Sequence, residues 1–196
     1  MLALLKRDFL LYVRNRSGVF FSLLGALISF LLYIIFLQKN LTDAWSQLPN
    51  STSLLNNWLM GGTLAVTGIT TSFAALTQMV QDRENQVDQD LFLTDLGRWG
   101  LELSYLISSF VISFVMQVFM FIIMSLYFQE IPVMSHLLEI SLIMLLSSLL
   151  STLVNALLIY HFQSVDSLGK VATIIGTASG FLVGTYVPMG ILPNFA

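Results

Sequence analysis

Ser179 stands in Thr177-Ala178-Ser179-Gly180, inside a long apolar run, where an intramembrane hydrolase would carry its nucleophile. A serine nucleophile needs a base within hydrogen-bond reach. Both histidines, His136 and His161, precede this serine, and Thr177 occupies the position where such a motif has glycine. The histidine pair lacks metal-ligand spacing, and the absence of cysteine removes thiolate and disulfide chemistry. Gly169-Lys170 lacks the upstream glycine and the following hydroxyl of a phosphate-binding loop. These residues predict no catalytic site, no metal, no cofactor and no nucleic-acid partner.

The remaining chemistry is recognition. Residues 81–102, QDRENQVDQDLFLTDLGRWGLE, hold six of the eleven carboxylates and form the single long hydrophilic stretch. Arg83, Glu84, Asp88 and Asp90 lie among helix formers without proline, which predicts a helical hairpin. Its first arm covers 81–93, a turn falls at Thr94-Asp95-Leu96-Gly97, and a second arm starts at Trp99. A solvated loop that merely stays out of lipid would not need Leu91, Phe92, Leu93, Leu96 and Trp99. Those side chains want a partner surface or the membrane interface to cover them.

Two further patterns concern packing. Ala172, Gly176, Gly180 and Gly184 recur every four residues, a small-residue face on which helix backbones approach closely, within the chain or across a dimer. Thr63, Thr67, Thr70 and Thr71 lie in a segment also rich in glycine. They could line a path for an amphiphilic substrate, or bond to their own backbone and pack against neighbours. Gln117 and Asn155 fall at mid-span and are neutral, so interhelical hydrogen bonds account for them. A proton-coupled carrier would want ionisable groups at that depth.

The elements that position these residues are membrane helices. The 196-residue chain is 56% hydrophobic and 10% charged, against roughly 25% charged in soluble domains. Apolar runs predict five spans near 18–38, 57–80, 103–128, 138–160 and 168–187. Each suffices for a hydrocarbon core ~30 Å thick, where backbone hydrogen bonding requires helix. The fold class is therefore all-α, a polytopic membrane protein read as one domain over 1–196. The first span is too long for a cleavable signal core and lacks a small-residue cleavage site. Lys6, Arg7, Arg14, Arg16, Arg83, Arg98 and Lys170 fall on one side by alternation and Lys39 alone on the other. The amino terminus and residues 81–102 are accordingly expected in the cytoplasm. Residues 1–17 carry Leu2, Leu5, Phe9 and Tyr12 at helical spacing, an amphipathic helix suited to the headgroup plane. Residues 188–196, held from helix by Pro188 and Pro193, are expected to form an outer re-entrant segment.

In this order the pieces resemble the type-2 ABC exporter permease family. LLKRDFLLYVRNRSGVFFSL matches the elbow helix, residues 81–109 match the first cytoplasmic loop, and GFLVGTYVPMGILPNFA is similar to the fifth span entering an outer hairpin. Asn85-Gln86 and Thr94-Asp95 replace the family's Gly-Thr pair and Thr-Pro turn, and the sixth span is missing, as in a truncated or split subunit. The resemblance implies a plasma-membrane subunit pairing with a second permease chain, as homodimer or heterodimer, and with a separate ABC ATPase subunit. Arg83, Glu84, Asp88, Asp90, Leu91, Phe92 and Trp99 would couple to that ATPase, and the glycines of the last span would sit at the permease dimer contact. The alternative from another class is a small membrane-bound interaction or immunity protein that binds a toxin or peptide without ATP.

Overall fold

A computed structural model describes residues 1–45, 50–92, 97–129 and 134–184, with the side chains of Ala44, Phe92, Met134 and Ser135 left aside. The described residues form helices α1 (Leu2–Arg14), α2 (Arg16–Leu32), α3 (Gln38–Ala44), α4 (Ser51–Glu84), α5 (Val87–Phe92), α6 (Gly97–Phe128), α7 (Met134–Ile159) and α8 (Val165–Leu182). The chain is an all-α polytopic membrane protein. Among the described residues four stretches are long and apolar enough to cross a membrane: Arg16–Asp43, Ser51–Glu84, Gly97–Phe128 and His136–Ile159. The segment expected as a fifth span is helical from Val165 to Leu182, with Asp166 and Lys170 in its first turns. The expected re-entrant segment 188–196 lies outside the described residues, as does most of the turn at 94–97.

α4 is the centre of the bundle, packed against α2, α6, α7 and α8. In its membrane window 56% of the residues are buried, against 33% in each of the other three spans. Composition explains this position. Gly62, Thr63, Thr67, Gly68, Thr71 and Ser72 are all buried and small enough to admit neighbours on several sides. The Thr67 and Thr71 hydroxyls each donate to the carbonyl one turn earlier, at 2.8 and 2.6 Å, so burying them leaves no donor unmet.

Two apolar clusters sit above and below this polar waist. One joins Phe30, Tyr33, Leu59, Met120 and Met124; the other joins Leu4, Phe73, Leu76, Tyr105, Ile159 and Leu168. At the waist α6 and α7 bond to the α4 backbone. Ser109 Oγ donates to Ser72 O at 2.9 Å and Ser113 Oγ to Gly68 O at 3.0 Å. Asn155 Nδ2 reaches Ile69 O at 2.8 Å and Ser72 Oγ at 2.7 Å. Asn155 thus makes the interhelical bonds its position predicts. Gln117 does not: it is fully buried over Gly68, and its amide has no hydrogen-bond partner among the described residues.

Local geometry departs from expectation at two places. The first arm of the hairpin is not continuous, because α4 stops at Glu84 and Gln86 takes φ 59°. A left-handed residue after the cap ends a helix and lets the chain turn, and α5 then restarts at Val87. Gly184 is the second. Its φ of 77° places it past the end of α8, where its N–H meets Phe181 O at 3.0 Å. It terminates the helix, while Gly176 and Gly180 lie within it.

Candidate functional site

The last three residues of α4, Asp82, Arg83 and Glu84, face three different sides. Asp82 is 3% exposed although it is an acid at the end of a span. Burial at that level requires paired oxygens. Arg7 of α1 donates to Oδ2 at 2.7 Å, the Tyr105 hydroxyl of α6 donates to the same atom at 2.5 Å, and Gln78 Nε2 donates to Oδ1 at 2.7 Å. Arg7 also holds its neighbour Asp8 at 3.0 Å, and Ser108 of α6 donates to the second Asp8 oxygen at 3.4 Å. Burial pushes the Asp8 carboxyl up to about 6, against the opposing pull of Arg7.

Arg83 turns toward α7. Its guanidinium lies 5.3 Å from the centre of the Tyr160 ring and donates to the Tyr160 carbonyl at 3.5 Å, at the carboxyl end of that helix. Glu84 turns toward α8. Its carboxylate accepts from the backbone N–H of Val165 at 3.0 Å, while the Ser164 hydroxyl accepts from Ser167 N–H at 3.3 Å. Two of the orphan donors of that helix start are thereby satisfied.

Beyond this junction the hairpin opens outward. Arg83, Asp88, Arg98, Tyr160 and Gln163 line an open polar cleft of about 480 Å³. Arg98 pairs with Glu102 at 3.2 Å one turn along α6. Asp90 is exposed on α5, and Trp99 in the first turn of α6 is 81% exposed. Leu91 is half-buried against the Leu76–Tyr105 cluster. Phe92 closes α5, and its side chain lies outside the described ones. Of the residues expected to couple to a partner, the structure places Arg83, Asp88 and Trp99 at one end, leaves Glu84 exposed with its carboxylate on the Val165 N–H, and half-buries Leu91.

The other expected residues scatter over the bundle. Thr63, Thr67 and Thr71 are fully buried between helices, while Thr70 lines a cavity of about 350 Å³ between α2, α4 and α8. Ala172 and Gly176 line the same cavity, and among the described residues no atom lies within 4 Å of a Cβ built at Gly176. The Ser179 hydroxyl donates to Gly176 O at 3.0 Å. The histidines are engaged elsewhere, His136 with Glu139 at 3.2 Å and His161 with Leu157 O at 3.0 Å.

Sequence reading missed Arg7, Asp8, Asp82 and Tyr105 as a connected group. The available signal was Leu4, Asp8 and Tyr12 at i, i+4, i+8, a stripe that α1 buries against the bundle. An acid inside an otherwise apolar stripe announces a buried partner.

No curated protein and no solved structure matches the chain. The family model described as ABC-2 type transporter matches it over residues 1–196, and the chain belongs to that family of membrane-spanning transporter subunits.

Proposed function

We propose that this chain is the membrane subunit of an ATP-driven exporter and that its charged end docks on a separate ATPase. The carrying observation is Trp99, 81% exposed beside the polar cleft of Arg83, Asp88 and Arg98, on a hairpin whose two flanking helices run deep into the bundle. A large exposed ring on a rigid support is the form of a contact anchor. Arg83, Glu84, Asp88, Asp90, Leu91, Phe92 and Trp99 make up the coupling element, in which Asp88, Asp90, Phe92 and Trp99 meet the ATPase while Arg83, Glu84 and Leu91 join the hairpin to the bundle. The excess of Lys and Arg at this end supports a cytoplasmic placement, with the amino terminus on the same side, in the plasma membrane.

ATP-driven closure of the partner would push on the hairpin and tilt α4 and α6, the rods attached to it. A second permease chain would complete the path. The open face around Thr70, Ala172 and Gly176 supports a contact or path there, with Gly180 on the same helix and Gly184 at its end. The buried threonines Thr63, Thr67 and Thr71 would line a path only after helix rearrangement.

The test is co-purification. The wild-type chain should retain an ABC ATPase subunit through detergent extraction, and Trp99→Ala or Phe92→Asp should release it while insertion is unchanged. Retention of the ATPase by both variants would remove the coupling role. Full cellular activity with no ATPase expressed would favour a binding protein of the toxin-sequestering kind.

A further inference from the structure

We propose that Asp82, Arg83 and Glu84 form a hub inside the subunit, and that Arg83 and Glu84 are positioning residues which pass hairpin motion to α7 and α8. This rests on the coupling reading above and divides its residue set: Asp88, Asp90 and Trp99 face the partner, and the acid–base–acid triplet faces the bundle.

Helical geometry makes the division possible. Successive residues on a helix point about 100° apart, so three in a row address three sides. Asp82 points to α1 and α6, Arg83 to the end of α7, and Glu84 to the start of α8. One turn of α4 thus holds α1, α6, the end of α7 and the start of α8. The joints differ in kind. The Asp82 cluster is buried and charge-paired, a rigid joint. The Arg83 joint is a half-buried guanidinium against a ring and a carbonyl. The Glu84 joint is a single charge-assisted bond at an exposed helix start, favoured further by the dipole of an 18-residue helix.

The Glu84 joint matters most for α8. Along the rest of its length α8 leaves open space beside it: the 350 Å³ cavity on its α2 side and a second of about 330 Å³ on its α7 side. Between these spaces Leu168, Val171, Ala172 and Ile175 pack α8 against the bundle, and Glu84 fixes its first turn. When α4 tilts, Glu84 carries the first turn of α8 with it, and the cavity bounded by Thr70 and Gly176 changes shape.

Hydrogen–deuterium exchange reads this joint without any partner. Val165 is the first residue of α8 and its N–H has no acceptor within the helix. Glu84→Ala should speed exchange of that amide about tenfold, the effect of losing one charge-assisted hydrogen bond. Glu84→Gln retains an acceptor and should stay near the wild-type rate. Both variants should still retain the ATPase subunit that co-purifies with the wild-type chain, while Glu84→Ala loses transport-coupled ATP turnover. The hub is overturned if Glu84→Ala releases the ATPase with Val165 exchange unchanged, since Glu84 would then contact the partner directly. Retention of the ATPase by both Trp99→Ala and Phe92→Asp would instead overturn the coupling reading and leave the exchange result to stand by itself.

Discussion

The guanidinium of Arg7 donates to Asp82 at 2.7 Å across 75 positions of sequence, joining the amino-terminal helix to the central span. The Asp82 side chain is 5% exposed and that of Arg7 28% exposed, so the pair sits at the edge of the protein interior rather than in open water. Removing the arginine leaves a buried carboxylate with Tyr105 and Gln78 as its remaining donors. Arg7→Ala should therefore cost about 3–4 kcal/mol, the lower part of the range for breaking a buried pair. Asp82→Ala should cost at least as much, because it leaves Arg7 with Asp8 alone and the Tyr105 hydroxyl without its acceptor. Thermal unfolding in detergent measures both. Protease sensitivity within residues 1–14 should rise in Arg7→Ala, and the exchanged pair Arg7→Asp with Asp82→Arg should recover part of the loss.

Asp8 gives this junction a pH dependence. Its carboxyl is raised to about 6 from 3.8, chiefly by burial, so the docked helix binds the proton more tightly than the undocked one. Docking therefore gains stability as pH falls through 6 and has the full gain below 3.8; conversely the contribution is lost as pH rises through the folded value. Asp8→Asn imitates the protonated side chain. It should stabilise the protein at pH 7.5 by on the order of 2 kcal/mol, and the difference from wild type should vanish near pH 4. Melting temperatures of the two proteins across that interval decide the matter. A difference independent of pH would assign the effect to packing.

Asn155 ties α7 to α4 at mid-membrane through Ile69 O and Ser72 Oγ. Interhelical bonds of this type contribute ~0.6 kcal/mol on average and up to ~1.7. Asn155→Leu removes both and should destabilise by about 1–2 kcal/mol. Asn155→Asp keeps one acceptor group but introduces a charge at that depth and should be worse, by impaired insertion as well as lower stability. Equilibrium unfolding in mixed micelles tests the first, and membrane yield the second.

The helices were legible because lipid leaves the backbone no alternative: runs without charge must be helical, and their ends fall near the charged residues that bound them. What could not be read was rotation. Arg83 and Glu84 stand beside Asp88 and Asp90 in an acidic stretch that as a string looks uniformly outward-facing. Only the angular phase of α4 decides that the first two reach Tyr160 and Val165. The same ambiguity governs the threonines. Hydroxyls that bond to their own backbone, as those of Thr67 and Thr71 do, suit a substrate path and a packing face equally, and in this conformation Thr63, Thr67 and Thr71 lie buried between helices. In α1, apolar periodicity assigned the Leu2–Leu5–Phe9–Tyr12 face to the headgroup plane; Leu2 is 83% exposed, and the stripe turned inward, which that periodicity did not mark, is Leu4–Asp8–Tyr12. An apolar face there meets lipid, so hydrophobicity no longer marks the interior, and the buried acid does.

Gly68 and Gln117 make that argument testable at a single contact. A methyl group at position 68 would overlap the Gln117 amide nitrogen and come within 3.3 Å of Ser151 Oγ. Gln117 can yield only by rotating a fully buried side chain in a packed interior, so Gly68→Ala should cost about 1–3 kcal/mol, as overpacking does. Gln117→Ala removes that obstruction together with an amide that has no partner among the described residues. Losing an unpaired polar group offsets the cavity it leaves, and the single variant should lie within about 1 kcal/mol of wild type. The double variant should then be more stable than Gly68→Ala alone, a coupling of at least 1 kcal/mol in a double-mutant cycle. Strict additivity would mean that the two side chains do not meet, and that the close approach of α6 to α4 at this level is set by Ser109 and Ser113 instead.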